Sequence, residues 1–132
     1  MKTLYVSDVD GTIYRAGQEE LRESSRALFE QILSRGTLLT VASGRNLHGV
    51  FDLVQQAGIP LPVIAYNGAV IYDFLQGEAV ATFPIEAENA RRIFALFARR
   101  NIPYQTCIFH REEQRCVPHF FVKISDDFLA QI

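Results

Sequence analysis

Short apolar runs alternate with amphipathic segments through the first 66 residues, and few folds accommodate that order. Leu4-Tyr5-Val6 is rich in strand formers and stops at Ser7-Asp8-Val9-Asp10-Gly11, the pattern of a buried strand with a polar loop at its carboxyl end. Residues 20 to 34 place Leu21, Leu28, Phe29, Ile32 and Leu33 on one helical stripe, and Gly36 suits the helix stop. Thr37 to Ala42 is a second, near-continuous apolar run, as expected of a parallel strand covered on both faces. Ser43-Gly44-Arg45-Asn46 leads into a second helix with an apolar stripe of Leu47, Val50, Phe51 and Val54, ended by Gly58 and Pro60. Val63-Ile64-Ala65-Tyr66 is a third strand, halted by Asn67-Gly68. Strand, helix, strand, helix, strand implies right-handed crossovers and an open parallel sheet, an α/β fold.

The pattern then changes. Ala69 to Asp73 and Glu78 to Phe83 are short strands around Phe74-Leu75-Gln76-Gly77, which reads as a hairpin. Residues 86 to 100 form a helix with Ala90, Ile93, Phe94 and Phe97 inward. Its acids, Glu86 and Glu88, lie near the start and Arg99 and Arg100 at the end, the polarity a helix dipole favours. Tyr104 to His110 and Arg115 to Ile124 are two further strands turning at Glu112-Glu113, a register that sets Cys116 opposite Phe109 and Cys107 opposite Pro118. Ser125-Asp126-Asp127-Phe128 has the look of a helix start. The change of pattern near Ala81-Thr82-Phe83-Pro84 divides the chain into segments 1–82 and 83–132.

Composition narrows the class of function. The 132 residues hold 13 Lys+Arg against 15 Asp+Glu, so there is no basic coat and nucleic acid is not an expected partner. No apolar run approaches the ~20 residues that a membrane span needs, and Asp8 and Asp10 interrupt the first apolar stretch too early for a signal peptide. Cys107 and Cys116 are too few for a zinc cluster or disulfide framework and are expected to be reduced thiols in a cytoplasmic protein. His48, His110 and His119 show no metal-ligand spacing, and Arg91, Arg92, Arg99 and Arg100 read as the solvated face of their helix.

The chemistry gathers at the strand ends. Asp8 and Asp10, one residue apart beyond the first strand, stand where open α/β sheets place ligands. Two such carboxylates repel unless a cation or proton compensates, and a hard divalent ion such as Mg²⁺ suits oxygen ligands. Gly11 allows a tight turn, and Thr12 offers a hydroxyl or amide to an anion. Ser43-Gly44-Arg45, opening a helix after the second strand, supplies a hydroxyl and amides to a second anion-binding turn. The first turn alone is as readily an acidic strand-end loop, and the second alone reads rather as a helix cap; together on neighbouring strands they favour a phosphate site.

Asp8-Val9-Asp10-Gly11-Thr12, Val41-Ala42-Ser43-Gly44-Arg45 and Tyr66-Asn67-Gly68-Ala69-Val70-Ile71-Tyr72-Asp73, in that order and spacing, resemble the haloacid dehalogenase-like (HAD) superfamily. Within it the likeness is to the Cof-type phosphatases with an α/β cap. The resemblance implies a Rossmann-like, parallel, three-layer core in the first segment and the start of a cap domain in the second. It also implies Asp8 as nucleophile, forming an aspartyl-phosphate, and Asp10 as acid and base toward the leaving alcohol and water. Mg²⁺ would be held by the Asp8 carboxylate and the Asp10 carbonyl, and phosphate by Ser43 with Gly11, Thr12, Gly44, Arg45 and Asn67. The substrate class implied is a small phosphorylated metabolite such as a sugar phosphate.

The same resemblance calls for a later lysine paired with the nucleophile and a still later acidic motif. Lys2 and Lys123 are the only lysines, and neither has that context. The expectation is therefore a truncated chain, an incomplete core with little or no turnover. The alternative is a non-catalytic phosphate- or metal-binding module that self-associates through an open sheet edge. An aspartyl-phosphate signalling domain is a third option, disfavoured by the Asn67-Gly68 turn and the cap-like segment.

Overall fold

The computed structural model describes residues 3–15, 20–110 and 112–121. The chain divides into two compact units, Met1–Phe83 and Pro84–Ile132. The first unit is built as β1 (Leu4–Asp8), α1 (Glu23–Ser34), β2 (Leu38–Ala42), α2 (Leu47–Ala57), β3 (Val63–Ala65), β4 (Val70–Asp73) and β5 (Glu78–Thr82). These strands form one sheet in the order β1-β2-β3-β4-β5. β1 and β2, and β2 and β3, pair in parallel, whereas β3, β4 and β5 follow one another antiparallel. The α/β pattern read from the sequence is thus present, as a sheet whose parallel half ends in an antiparallel hairpin.

The core forms where apolar periodicities meet. Leu39, Val41 and Val63 of the strands pack with Phe29 of α1 and Val50, Leu53, Val54 and Ala57 of α2, joined by Val9 and Tyr14 from the loop after β1. β2 is covered through its centre: Thr40 is also buried and its hydroxyl donates to the Pro62 carbonyl at 2.7 Å. β1 differs, with Leu4, Tyr5 and Val6 between 49% and 56% exposed, because as an edge strand it has a neighbour on one side only.

The helices depart from the expected stripes in detail. Leu21 precedes α1 yet is buried, and its amide donates to Gln56 Oε1 at 3.0 Å, tying the approach to α1 onto α2. Leu28, expected inward, is 54% exposed, and Phe51 is 40% exposed, whereas Leu53, outside the expected stripe, is fully buried. α2 begins at Asn46, whose side chain accepts from the Gly49 amide at 2.7 Å, and ends at Gly58 in the left-handed conformation.

The second unit comprises α3 (Ala87–Arg99) and an antiparallel pair, β6 (Tyr104–His110) and β7 (Arg115–Phe121). Cys107 pairs with Pro118 and Phe109 with Cys116, the expected register, and Cys107 is a free, half-buried thiol. β7 is described as far as Phe121; the rest of the expected strand, to Ile124, and the proposed helix start at Ser125 lie outside the described residues. Phe94 stacks on Tyr104 with ring centroids 4.9 Å apart, and Phe97 lies 5.3 Å from the same ring. Ile93, expected inward on α3, is 38% exposed. No described helix is long and apolar enough to cross a membrane.

Candidate functional site

The eight candidate site residues gather at the carboxyl ends of β1, β2 and β3, Asp8 as the last residue of its strand and the others on the three loops that follow. Register brings those loops together. Asp8, the last residue of β1, pairs with Ala42, and Ala42 pairs with Ile64. Ser43 continues that row, its amide donating to the Ile64 carbonyl at 2.9 Å.

The loop after β1 winds tightly around Val9. The Val9 carbonyl accepts from the amides of Ile13 and Tyr14, both at 2.9 Å, and from Thr12 at 3.3 Å. Gly11 stands at φ +83° with its amide donating to the Tyr14 carbonyl at 2.7 Å. That conformation is strained for any residue with a Cβ, so glycine is required there. The Gly11 and Thr12 amides are thus directed back into the loop, while the side chains of Asp8, Asp10 and Thr12 remain exposed.

The loops after β2 and β3 interlock. Ser43 is buried, and its hydroxyl accepts from the Arg45 amide at 3.1 Å. The Ser43 carbonyl accepts from the Asn67 amide at 3.1 Å and the Arg45 carbonyl from the Tyr66 amide at 2.9 Å. Tyr66, Asn67 and Gly68 form one tight turn in which all three have positive φ. Asparagine and glycine tolerate that region, and the two amide bonds hold the tyrosine in it. The Asn67 side chain lies against Gly44 and fills the space that a Cβ there would need.

One ion pair joins the first loop to the second. Arg45 donates through Nη2 to Asp10 Oδ1 at 2.6 Å and through Nε to Oδ2 at 2.9 Å and Oδ1 at 3.2 Å. Its Nη1 donates to the Gly49 carbonyl at 3.3 Å, and its guanidinium carbon lies 4.9 Å from the centre of the Tyr14 ring. These charge-assisted hydrogen bonds hold the Asp10 carboxyl below the usual carboxylate range, with burial opposing them. Tyr14 is 2% exposed, and burial pushes its phenol up.

Sequence reasoning missed Tyr14 and Gly49 as parts of this arrangement. Gly49 had a signal, since position i+4 in the first turn of a helix returns to the residue that opens it. Tyr14 had none, because only the folded loop brings its ring beneath Arg45. A shallow pocket of about 210 Å³ lies between Val54–Leu61 and Asp73–Leu75. It sits where α2 runs out, at the opposite end of the parallel strands from Asp8.

The donor set bears on a metal ion. Among the described residues no group of three or more His, Cys, Asp or Glu is arranged to hold one. With the Asp10 carboxylate taken up by Arg45, Asp8 offers a carboxylate and Asp10 a backbone carbonyl, an oxygen pair that fits Mg²⁺, an ion that keeps several of its waters and takes one or two carboxylates.

Paired acids, a buried hydroxyl and a helix start gathered at the carboxyl ends of parallel strands stand where open α/β sheets place their ligands. The sequence profile of the haloacid dehalogenase-like hydrolases matches residues 5–126, and the chain belongs to that family. A Mycoplasma pneumoniae protein provisionally named a phosphatase is 29% identical over 112 residues, covering 85% of this chain and 36% of the relative. A Mycoplasma genitalium protein with a similar provisional name is 32% identical over 81 residues, 61% of this chain and 29% of the relative. A haloacid dehalogenase-like hydrolase from Bacillus subtilis has a similar structure, with a TM-score of 0.67 and 27% identity over 82% of this chain and 36% of that one. A sugar phosphatase of HAD subclass IIB shares the fold at a TM-score of 0.65 and 23% identity, covering 89% of this chain and 44% of that one. The chain spans between 27% and 36% of the length of the curated relatives it matches.

Proposed function

We propose that this chain carries the nucleophile and phosphate-binding loops of a Mg²⁺-dependent phosphohydrolase acting on small phosphorylated metabolites, sugar-phosphate monoesters among them. The observation that carries the reading is the convergence of Asp8, Asp10, Ser43 and Asn67 on three interlocked loops at one sheet edge. Asp8, exposed at the strand end, attacks phosphorus and takes the phosphoryl group as an aspartyl-phosphate while the alcohol leaves. For the alcohol to leave as a neutral group, Asp10 must be protonated when substrate is bound, against the pull of Arg45; it gives up that proton and later takes one from the water that hydrolyses the acyl phosphate. Ser43 and Thr12 offer hydroxyl donors to phosphate oxygens. Asp8 and the Asp10 carbonyl would hold Mg²⁺, whose charge, when bound, offsets that of the phosphoryl oxygens. A cytoplasmic setting, in which both cysteines would be reduced, is part of the same reading.

Turnover by these residues alone is expected to be near background, because neither Lys2 nor Lys123 has the sequence context of the lysine that the resemblance calls for. Beryllium trifluoride, which mimics a phosphoryl group on an aspartate, tests the nucleophile without needing turnover. A fluorine NMR signal for bound trifluoride that requires Mg²⁺ and disappears in Asp8→Asn is expected. No signal in the wild type, or one that survives Asp8→Asn, overturns the assignment. Brisk release of phosphate from p-nitrophenyl phosphate that Asp8→Asn abolishes would keep the nucleophile and overturn the expected inactivity.

A second reading, a self-associating module, is favoured by one observation, the exposed apolar edge formed by Leu4, Tyr5 and Val6.

A further inference from the structure

We propose that Arg45 is a positioning residue that orients the Asp10 carboxylate, and not a ligand of the phosphoryl group. The inference rests on the phosphohydrolase reading of the site and reassigns one residue within it. An arginine in the turn after β2 is a natural candidate for phosphate, since its planar fork matches phosphate as well as carboxylate. Here the fork is already engaged. Nε and Nη2 face both Asp10 oxygens at 2.6 to 3.2 Å, and Nη1 turns toward the Gly49 carbonyl at 3.3 Å.

The rest of the side chain is fixed as well. The Tyr14 ring, itself buried, lies beneath the guanidinium at 4.9 Å, so the group is held against one face. The Arg45 backbone is pinned at both ends of its peptide unit, by Ser43 Oγ on its amide and the Tyr66 amide on its carbonyl. Arg45 therefore links three segments: the loop that carries Asp10, the first turn of α2, and the turn after β3. Only 26% of its side chain is exposed, against 56% for Asp10, so the rigid member of the pair is the arginine and the presented member is the carboxylate. A lysine has no fork and could not set the plane of that carboxylate.

The Arg45 Nε–Hε resonance of the ¹⁵N-labelled chain reads this directly. Its exchange with water should be slow and should accelerate about tenfold or more in Asp10→Ala, the loss of a charge-assisted hydrogen bond. Inorganic phosphate added with Mg²⁺ should shift the Ser43 amide and leave Arg45 Nε–Hε in place. In Arg45→Ala, phosphate affinity should stay within about twofold, whereas loss of a phosphate ligand would weaken it about tenfold or more. An Nε–Hε signal that follows phosphate as strongly as Ser43, or an exchange rate indifferent to Asp10→Ala, overturns the proposal. If no resonance responds to phosphate while Nε–Hε stays protected, the phosphohydrolase reading fails and the ion pair is a structural tie only, so the positioning role falls with it. The backbone amide spectrum of each variant shows directly whether it is folded.

Discussion

The side chain of Asn67 occupies the space that a Cβ on Gly44 would need: its Oδ1 lies 2.8 Å from that position. This contact joins the turns after β2 and β3 and fixes where the Asn67 amide stands at the rim of the site. Gly44→Ala should push the exposed end of Asn67 aside at a small cost, about 1 kcal/mol or less. In an Asn67→Gly background the obstacle is gone, and the left-handed turn is still available to glycine. The alanine at position 44 should then cost less than in the wild type. Urea denaturation of the two single variants and the double variant checks this, and strictly additive effects would mean the two residues do not meet.

α1 and α2 separate two leucines that sequence periodicity ranks in the wrong order. Leu53 is fully buried and Leu28 is 54% exposed. Leu53→Ala should therefore lose about 2–5 kcal/mol, while Leu28→Ala should stay within about 0.5 kcal/mol. Thermal or denaturant midpoints measure both, and a Leu28→Ala loss matching that of Leu53→Ala would place Leu28 in the core.

What the sequence revealed and what it withheld follow from range. The alternation of strands and helices was legible because it depends on periodicities within a dozen residues: Val41, Val50 and Val63 mark elements whichever way they pack. Asn67-Gly68 was legible as a stop because few other residues accept positive φ there. Leu28 was misplaced because a stripe gives the apolar face of a helix but not how much of that face its neighbours cover. The Asp10–Arg45 pair spans 35 residues, so both members could be singled out while their contact could not. The chemistry of an arginine in that turn suggests phosphate and that of Asp10 suggests acid and base, and only the fold shows the arginine turned toward the acid. In the second unit the stripe of α3 is plain, yet none of its residues is fully buried, because the described partners are a single two-stranded pair.

Asp10 also gives a pH signature in metal-free buffer. Its carboxyl is held below the ordinary range first by the hydrogen bonds from Arg45. A depressed carboxylate contributes stability that is present above its unfolded value, about 4, and is lost as pH falls through the lower folded value. Wild type should thus exceed Asp10→Asn in stability at neutral pH and converge with it below about pH 4. The pair is partly exposed, so the difference should be about 1 kcal/mol or less. Denaturation curves from pH 3 to 7 measure it, and a gap that widens toward acid would reverse the sign.

The edge strand β1 supplies the last test. Leu4–Ser7 holds no charge and no proline, and Leu4, Tyr5 and Val6 are about half exposed, so the only charge that deters pairing along this edge is Asp8 at its end. The opposite edge, β5, begins at Glu78 and leaves Val80 59% exposed, which makes Val80→Lys a control of similar chemistry on the same sheet. If two copies pair through β1, Val6→Lys should shift the protein from a concentration-dependent dimer to a monomer, and Val80→Lys should not. Size-exclusion chromatography with light scattering across a hundredfold range of concentration, about 1 to 100 μM, distinguishes these outcomes over the span in which weak dimers form. A wild type that stays monomeric throughout, or a dimer indifferent to Val6→Lys, rules out β1 as the pairing edge.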